Sequence, residues 1–359
     1  SAGLACAIRA ARRGAKACVF EPHELGGTCV NRGCVPKKAM WLAAELAQAQ
    51  RLAAAVGFGL EPGALDWRAF VARRRKYVEN ARHAYARRLE EYGVRVIAAH
   101  ARFADARTLV ADGVHYRAPH IVIATGSRPR VPELAGAELG IDSDGFFRLD
   151  ACPRRVGIIG GGYIAVELAG VLRALGADVE LFSRSRLLSH FDADLGAALA
   201  AAMDADGIRQ HDLCAARGAL REQGSLWLDC ADHARHGPYE QIIWAVGRVP
   251  NVESLALEAA GVALGRDNNV QTDAFENTGV RGIYALGDVN GKRALTPVAI
   301  AEGRALADRL FGGKADAHLD YANIPSVVFS HPPVASIGLS EEQAREMHGD
   351  AVRVHAATF

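Results

Sequence analysis

Two cysteines stand five residues apart in the run Gly26-Gly27-Thr28-Cys29-Val30-Asn31-Arg32-Gly33-Cys34-Val35-Pro36-Lys37-Lys38. In an unbroken helix that spacing would hold their Cα atoms about 8 Å apart, too far for a disulfide. At least one of them must then lie on irregular chain, which Asn31 and Gly33 permit. Pro36 suits a first helical turn, which would set Cys34 at a helix N-terminus. There the dipole lowers a thiol's pKa and makes it reactive, and a closed bond between two such cysteines would be exchangeable. The other readings are two unrelated cysteines in a glycine-rich loop, or half of a zinc site with no second Cys/His pair of fitting spacing nearby.

A second motif, Gly160-Gly161-Gly162-Tyr163-Ile164-Ala165, matches G-x-G-x-x-G/A between an expected strand (155–159) and an expected helix (163–175). Glycines there let the backbone turn and approach a pyrophosphate at the positive end of the helix. The strand that follows, 178–182, runs into Ser183, Arg184 and Arg186 rather than an acid. A guanidinium grips a 2′-phosphate that a carboxylate would repel, so NADP is expected over NAD. Near the N-terminus, Gly3 opens a helix and Glu21 ends the next strand, which is the second half of another such fingerprint. The chain is expected to begin inside that motif.

These motifs need rigid elements to hold them. At roughly 150 residues per domain, 359 residues suggest two to three domains. The pattern predicts helices over 4–14, 34–56, 67–92 and 296–311, and strands over 15–21, 94–98, 108–110, 115–117, 120–124, 241–246 and 283–286. From about residue 320 the texture turns Pro- and β-rich. With 42 basic against 41 acidic side chains the chain is no polycationic nucleic-acid binder. It lacks an apolar run of about 20 residues, so neither a membrane span nor a membrane partner is expected, and no secretory signal is visible. The seven cysteines fit no disulfide scaffold, and Cys6, Cys18, Cys152 and Cys214 are expected as thiols. Cys230, His233 and His236 have roughly metal-like spacing, but no metal is expected. Arg73-Arg74-Arg75-Lys76 is expected as a solvated helix face.

The cysteine segment, Ala124-Thr125-Gly126, the 160–167 fingerprint, Ala245-Val246-Gly247-Arg248-Val249-Pro250-Asn251, and Gly287-Asp288-Val289 through Leu295-Thr296-Pro297 follow the order of the flavoprotein disulfide reductases, which this chain resembles along its whole length. The run from Gly27 to Lys38, and Ile324-Pro325 through Phe329-Ser330-His331-Pro332-Pro333, are most similar to the glutathione reductase branch. The resemblance implies an α/β fold of two Rossmann-like βαβ domains plus the start of an α+β dimerisation domain. FAD would bind 1–152, NADP 153–278, with 279–320 returning to the FAD domain and 321–359 opening the dimerisation domain.

The resemblance also implies roles. Cofactor-binding residues would be Ser1, Ala2, Gly3, Glu21, Gly27, Thr28, Ala101, Thr125, Gly126, Asp288 and Thr296, with Gly160, Gly161, Gly162, Ile164, Arg184, Arg186, Gly247 and Arg248. Lys37 and Glu167 would pair beside the flavin, with Tyr163 as a movable lid over it. NADPH would reduce the flavin, which would open a Cys29–Cys34 disulfide; Cys34 would lie nearer the ring and Cys29 would attack glutathione disulfide. Arg9, Tyr85 and Arg304 stand at matching substrate positions, whereas Ile8 and the run Ser189-His190-Phe191-Asp192 depart from the pattern. The family's His base, given by the partner subunit, has no counterpart among the 13 histidines, so the chain is expected to be either an incomplete copy or a truncated stretch of a longer protein. A homodimer in the cytoplasm is expected of the full-length protein. The alternatives are a dihydrolipoamide dehydrogenase-like or trypanothione-type reductase, or a catalytically silent FAD/NADP-binding module.

Overall fold

The computed structural model describes residues 1–59, 61, 63–231 and 234–357; His233, weighed above as a metal ligand, lies outside them. The chain forms two compact units, one built from Ser1–Lys37, Ala72–Arg128 and Arg248–Asp320, the other from Lys38–Val71, Pro129–Gly247 and Tyr321–Phe359.

In the first unit, the small apolar residues of the N-terminal stretch recur at helical spacing. The helix Ala2–Arg12 buries Ala2, Leu4, Cys6, Ala7 and Ala10. It packs against the helix Thr296–Phe311 at very short range: a Cβ on Gly303 would lie 2.6 Å from the Ala2 carbonyl oxygen. Asp308 ties the same pair of helices together, accepting from Arg9 at 2.7 Å and Arg13 at 2.9 Å. Two parallel strand pairs complete the α/β layer, Cys18–Phe20 with Arg95–Ile97 and Ile121–Ile123 with Ile283–Ala285. A three-stranded antiparallel meander, 102–117, packs Phe103 into the core with Ile121, Ile123, Val270 and Ile283. Its first strand, Arg102–Asp105, has one buried residue among three exposed ones and was not expected from the sequence.

The second unit carries a five-stranded parallel sheet in the order Arg209–His211, Asp178–Phe182, Arg155–Ile159, Gln241–Trp244, Ile141–Asp142. Its near-continuous apolar strands reflect burial on both faces. The helix Tyr163–Ala174 lies on one face with Ala165, Val166, Leu168, Ala169, Val171 and Leu172 in the core, joined there by Met40, Ala44 and Trp67. An antiparallel meander of Ala216–Glu222, Ser225–Cys230 and Arg235–Tyr239 packs on the other side, around Phe182, Leu228 and Trp244. The strands Ser326–Val328 and Val334–Ser336 pair antiparallel and bury Val328 and Val334 in the same core as the helix Tyr163–Ala174.

Two findings depart from the sequence reading. Cys214, expected as a thiol, is bonded to Cys230, so the chain does contain a structural-type disulfide. The register that pairs Ala216 with Cys230 brings them together, and no local sequence cue announces that register. Arg74 is not part of a solvated face: it is 4% exposed, and burial with the neighbouring Arg75 charge pushes its pKa down to about 10. Among the described residues no helix is long and apolar enough to cross a membrane.

Glu180 is the buried charge of the parallel sheet. Its Oε1 accepts from Arg155 at 2.8 Å and Arg209 at 2.9 Å, and its Oε2 lies 2.9 Å from His211 Nε2. Burial alone would raise this carboxyl, but those partners override it and hold it at about 2, below the ordinary 4.5. The stabilisation is therefore complete above the unfolded carboxylate range and is lost as pH falls toward 2. Glu180→Gln should cost about 2–3 kcal/mol of unfolding free energy near neutral pH. Urea titrations of both proteins should show that difference shrinking as the buffer is taken below pH 4.5.

Candidate functional site

The cysteine segment folds as two helices with a break between them. Gly27–Arg32 forms a short helix that contains Cys29; Gly33 leaves helical geometry at φ −146 and ψ −126; Cys34 then opens the long helix Cys34–Ala55. The break requires glycine, because a Cβ at position 33 would lie 2.8 Å from the Thr28 carbonyl oxygen. Asn31 pins the short helix by donating to the carbonyls of Glu24, Leu25 and Gly27, and Arg82 clamps its Oδ1 at 2.5 Å. Irregular chain between the cysteines and a helix start at Cys34 are both as the sequence implied.

Both cysteines are free thiols in this structure, whereas the resemblance implied a closed disulfide; the geometry is that of the reduced pair. Their side chains hydrogen-bond to each other, and Thr296 Oγ1, at the start of its own helix, lies 3.4 Å from Cys34 Sγ. The hydrogen bond from Cys29, then that from Thr296 and the Lys37 charge, outweigh partial burial and bring Cys34 down to about 5. The same bond, with burial, pushes the Cys29 thiol up. One thiolate and one thiol thus coexist near neutral pH, with the charge on the cysteine at the helix N-terminus. Thr296→Val should move the pH midpoint of Cys34 alkylation upward and slow its reaction with iodoacetamide several-fold at pH 5.5. Peptide mapping of the alkylated chain would read this.

Around the dithiol, the first unit gathers several of the expected cofactor residues at the C-terminal ends of parallel strands, where open α/β folds bind ligands. Thr125 Oγ1 donates to the Asn251 carbonyl at 2.6 Å, Asn251 Nδ2 returns to the Thr125 carbonyl at 3.0 Å, and the Asn251 amide donates to the Gly126 carbonyl at 3.0 Å. Asp288 accepts from Ser127 Oγ at 2.6 Å, and Arg248 grips Ser127 through Nε at 2.8 Å and Nη2 at 2.7 Å. Buried Glu302 accepts the Gly287 amide at 2.6 Å. Gly3 lies so close to Ala124 that a Cβ would come within 3.1 Å of its methyl, and Gly27, at φ +64, would bring one 3.4 Å from the Ser1 nitrogen. The first-turn amides of Ala2–Arg12 have no side-chain cap, and Gly126, at φ +68, faces open space. A bare helix N-terminus and an open glycine face fit a dinucleotide pyrophosphate and the chain that continues from it. Glu21 follows its strand and accepts from the His23 amide at 3.2 Å; Thr28 and Ala101 are half-buried.

The second unit holds the other crevice. Gly160 sits at φ +142, where a Cβ would lie 2.3 Å from the Ala245 carbonyl oxygen. Gly162 caps the helix Tyr163–Ala174 without a side-chain bond, and a Cβ on it would meet nothing within 4 Å, so its first-turn amides face open space. This fits a phosphate. Buried Ser183 donates to Asp212 Oδ1 at 3.2 Å, and Arg184 is exposed beside it. Arg186 donates to the Phe191 and Ser189 carbonyls, both at 3.1 Å, and so is held by its own loop. Ile164 packs on the core, Gly247 adopts φ +115, and Tyr163 is 43% exposed at the head of its helix. Glu167, one turn on, is 3% exposed and accepts the Phe329 amide at 2.8 Å.

Of the expected substrate residues, Tyr85 is half-buried, and burial above all pushes its phenol up while Arg88 and Arg304 pull it down. Arg9 instead has its guanidinium committed to Asp308, whose carboxyl it holds at about 2. Sequence reasoning missed Asp212 and Glu302. Both act by tertiary contact and carry no spacing cue.

A dithiol at a helix start, with glycine-turn crevices at the ends of parallel strands, defines a dinucleotide-dependent dithiol–disulfide oxidoreductase. The sequence pattern described as "Pyridine nucleotide-disulphide oxidoreductase" matches residues 1–303, and the dimerisation domain of the same family matches 324–359. The chain is 41% identical over 372 residues to the glutathione reductase of Schizosaccharomyces pombe, with 100% of this chain and 80% of that protein covered. It is 38% identical over 385 residues to the glutathione reductase of Yarrowia lipolytica, covering 100% and 81%. The HOCl-induced flavoprotein disulfide reductase RclA from Escherichia coli superposes with a TM-score of 0.85 at 27% identity, over 96% of this chain and 77% of that one. Its Cu(II) complex gives 0.86 with the same identity and coverage. This chain belongs to the pyridine nucleotide-disulphide oxidoreductase family.

Proposed function

We propose that the chain performs NADPH-dependent reduction of glutathione disulfide, using FAD and the Cys29–Cys34 pair. The observation that carries the proposal is the charge division in that pair: Cys34 is held as a thiolate by Cys29, Thr296 and Lys37 at the N-terminus of its helix, while Cys29 keeps its proton. Identity to two glutathione reductases over the whole chain supports glutathione disulfide as the substrate.

In this reading, the Ala2–Arg12 N-terminus, Gly3, Glu21, Thr28, Gly126 and Asp288 hold FAD, and Gly160, Gly162, Ser183 and Arg184 hold NADPH. Bound FAD supplies a two-electron relay from the nicotinamide to the cysteine pair. Cys29 gives up its proton as it attacks one sulfur of glutathione disulfide, breaking its S–S bond, and that proton passes to the departing glutathione thiolate. Cys34 then attacks the sulfur of Cys29, releasing the second glutathione and closing the Cys29–Cys34 bond. The net change is NADPH, one proton and glutathione disulfide converted to NADP and two glutathiones. Tyr85 and Arg304 line the approach to Cys29; Arg9 is assigned to the helix–helix contact with Asp308 instead. Lys37 and Glu167 serve the flavin side, and Tyr163 the nicotinamide lid.

The match of 324–359 to a dimerisation domain supports a homodimer, with the proton donor for the departing thiol coming from the partner's interface domain. We assign the protein to the cytoplasm. Ser183 and Arg184, with no acid ending the 178–182 strand, disfavour an NADH-linked lipoamide reductase. Anaerobic titration of FAD-loaded protein with NADPH should raise a long-wavelength thiolate–flavin band, and glutathione disulfide should then abolish it. Reoxidation by lipoamide but not by glutathione disulfide would overturn the assignment.

A further inference from the structure

The second cysteine pair lies in a different chemical setting from the first. Cys230 ends the strand Ser225–Cys230, and Cys214 precedes the strand whose Ala216 pairs with it. On the other edge, His236 is the cross-strand partner of Leu228. Leu228 and Cys230 are two residues apart, so their side chains point to one face of the meander, and His236 is placed on that same face. The two sulfurs and an imidazole nitrogen of His236 all lie within 4.8 Å of one another. Cys214 and Cys230 are 9% and 1% exposed. The His236 ring is seated edge-on against Phe182 at 5.0 Å and His211 at 4.4 Å, which limits its orientations.

Glu180, His211 and His236 form a second constellation of the same compactness. Its carboxylate is already taken up by Arg155, Arg209 and His211, so a cation there would have to displace two guanidinium groups. The sulfurs of the other constellation are instead bonded to each other. Tetrahedral zinc, with bonds of about 2.3 Å to sulfur and 2.0 Å to nitrogen, sets neighbouring donor atoms about 3.5–4 Å apart. The Cys214, Cys230 and His236 donors need only small adjustments to reach that spacing once the sulfurs are no longer bonded to each other.

We propose that Cys214, Cys230 and His236 form a redox-gated site for Zn2+ or a similarly thiophilic divalent cation. Two equivalents of a monothiol reductant open the Cys214–Cys230 bond by exchange and leave as their own disulfide, and each cysteine retains one proton as a thiol. The cation then displaces both protons and forms two metal–sulfur bonds and one metal–nitrogen bond, with solvent in the fourth position. Thiolate ligands select zinc-like cations over Mg2+ and Ca2+. A disulfide oxidant, reduced to two thiols as it takes up two protons, re-forms the Cys214–Cys230 bond by exchange and so expels the ion. The site is separate from Cys29 and Cys34, which belong to the other unit of the fold.

Co2+ serves as the probe, because tetrahedral thiolate ligation gives intense ligand-field and sulfur-to-cobalt charge-transfer bands. The full chain carrying Cys29→Ser and Cys34→Ser, which silences the other dithiol, is reduced with a monothiol, desalted anaerobically and titrated with Co2+. One ion per chain should bind with both bands, Zn2+ should displace it, and the same protein oxidised with diamide should bind none. His236→Gln, which keeps both cysteines, should weaken binding at least tenfold; Cys214→Ser should remove most of the charge-transfer intensity. The proposal fails if the reduced chain takes up no Co2+, if diamide leaves uptake unchanged, or if His236→Gln binds as tightly as its parent.

Discussion

Cys34→Ser should leave the fold intact and reduce glutathione disulfide turnover by about three orders of magnitude or more, the scale of loss when a nucleophile is removed. Serine cannot form the disulfide that stores the two electrons, and it cannot displace the second glutathione from Cys29. The same variant tests the charge division. In the parent, the Cys29 hydrogen bond brings the Cys34 thiol down to about 5, so its alkylation is expected to follow a thiolate present above that pH and lost below it. Cys29 is raised first by its hydrogen bond with Cys34, then by burial and the Cys34 charge. Deleting the Cys34 sulfur removes the first and third causes, so Cys29 should alkylate at lower pH than in the parent, though still above the parent's Cys34 midpoint. Steady-state assays and pH-dependent alkylation with iodoacetamide check both halves. Turnover within tenfold of the parent would remove the pair from the reaction.

Much of this was readable because the chemistry depends on local chain geometry. Spacing ruled out an unbroken helix from Cys29 to Cys34 for a pair able to form a disulfide, and the break falls at Gly33, where a side chain would strike the Thr28 carbonyl. The helix Thr296–Phe311 and the strands Arg155–Ile159 and Asp178–Phe182 likewise have strong periodicity and turn signals at their ends. What escaped was set by pairing between distant segments. The Cys214–Cys230 bond depends on a strand register, and the single buried residue of Arg102–Asp105 gives too weak an alternation to mark a strand. Arg74 sits in a run of four cations, yet helix rotation alone turned it inward. Arg9 shows the converse: its position matched a substrate residue, but Asp308, 299 residues away in sequence, claims its guanidinium.

The two outer glycines of the second fingerprint should separate folding from nucleotide binding. Gly160 occupies φ +142, a region that side chains rarely adopt, and an added Cβ would stand 2.3 Å from the Ala245 oxygen and 2.9 Å from its carbonyl carbon. Both obstacles are backbone at the end of the Gln241–Trp244 strand, so neither can swing aside as a flexible side chain would. Gly160→Ala should therefore lose about 3 kcal/mol or more of stability, from backbone strain and overpacking together. Gly162 has φ −86 and ψ 177, an ordinary extended conformation, and its Cβ would meet nothing within 4 Å. Gly162→Ala should stay within about 1 kcal/mol of the parent in urea. Its methyl, however, would stand in the space before the uncapped first turn, where a pyrophosphate must approach the amides. Its NADPH affinity should fall about tenfold or more, equivalent to about 1.4 kcal/mol, as read by isothermal titration. If Gly162→Ala binds NADPH as the parent does, the phosphates do not lie on that helix end. If Gly160→Ala is as stable as the parent, the tight turn is not what holds strand, loop and helix in register.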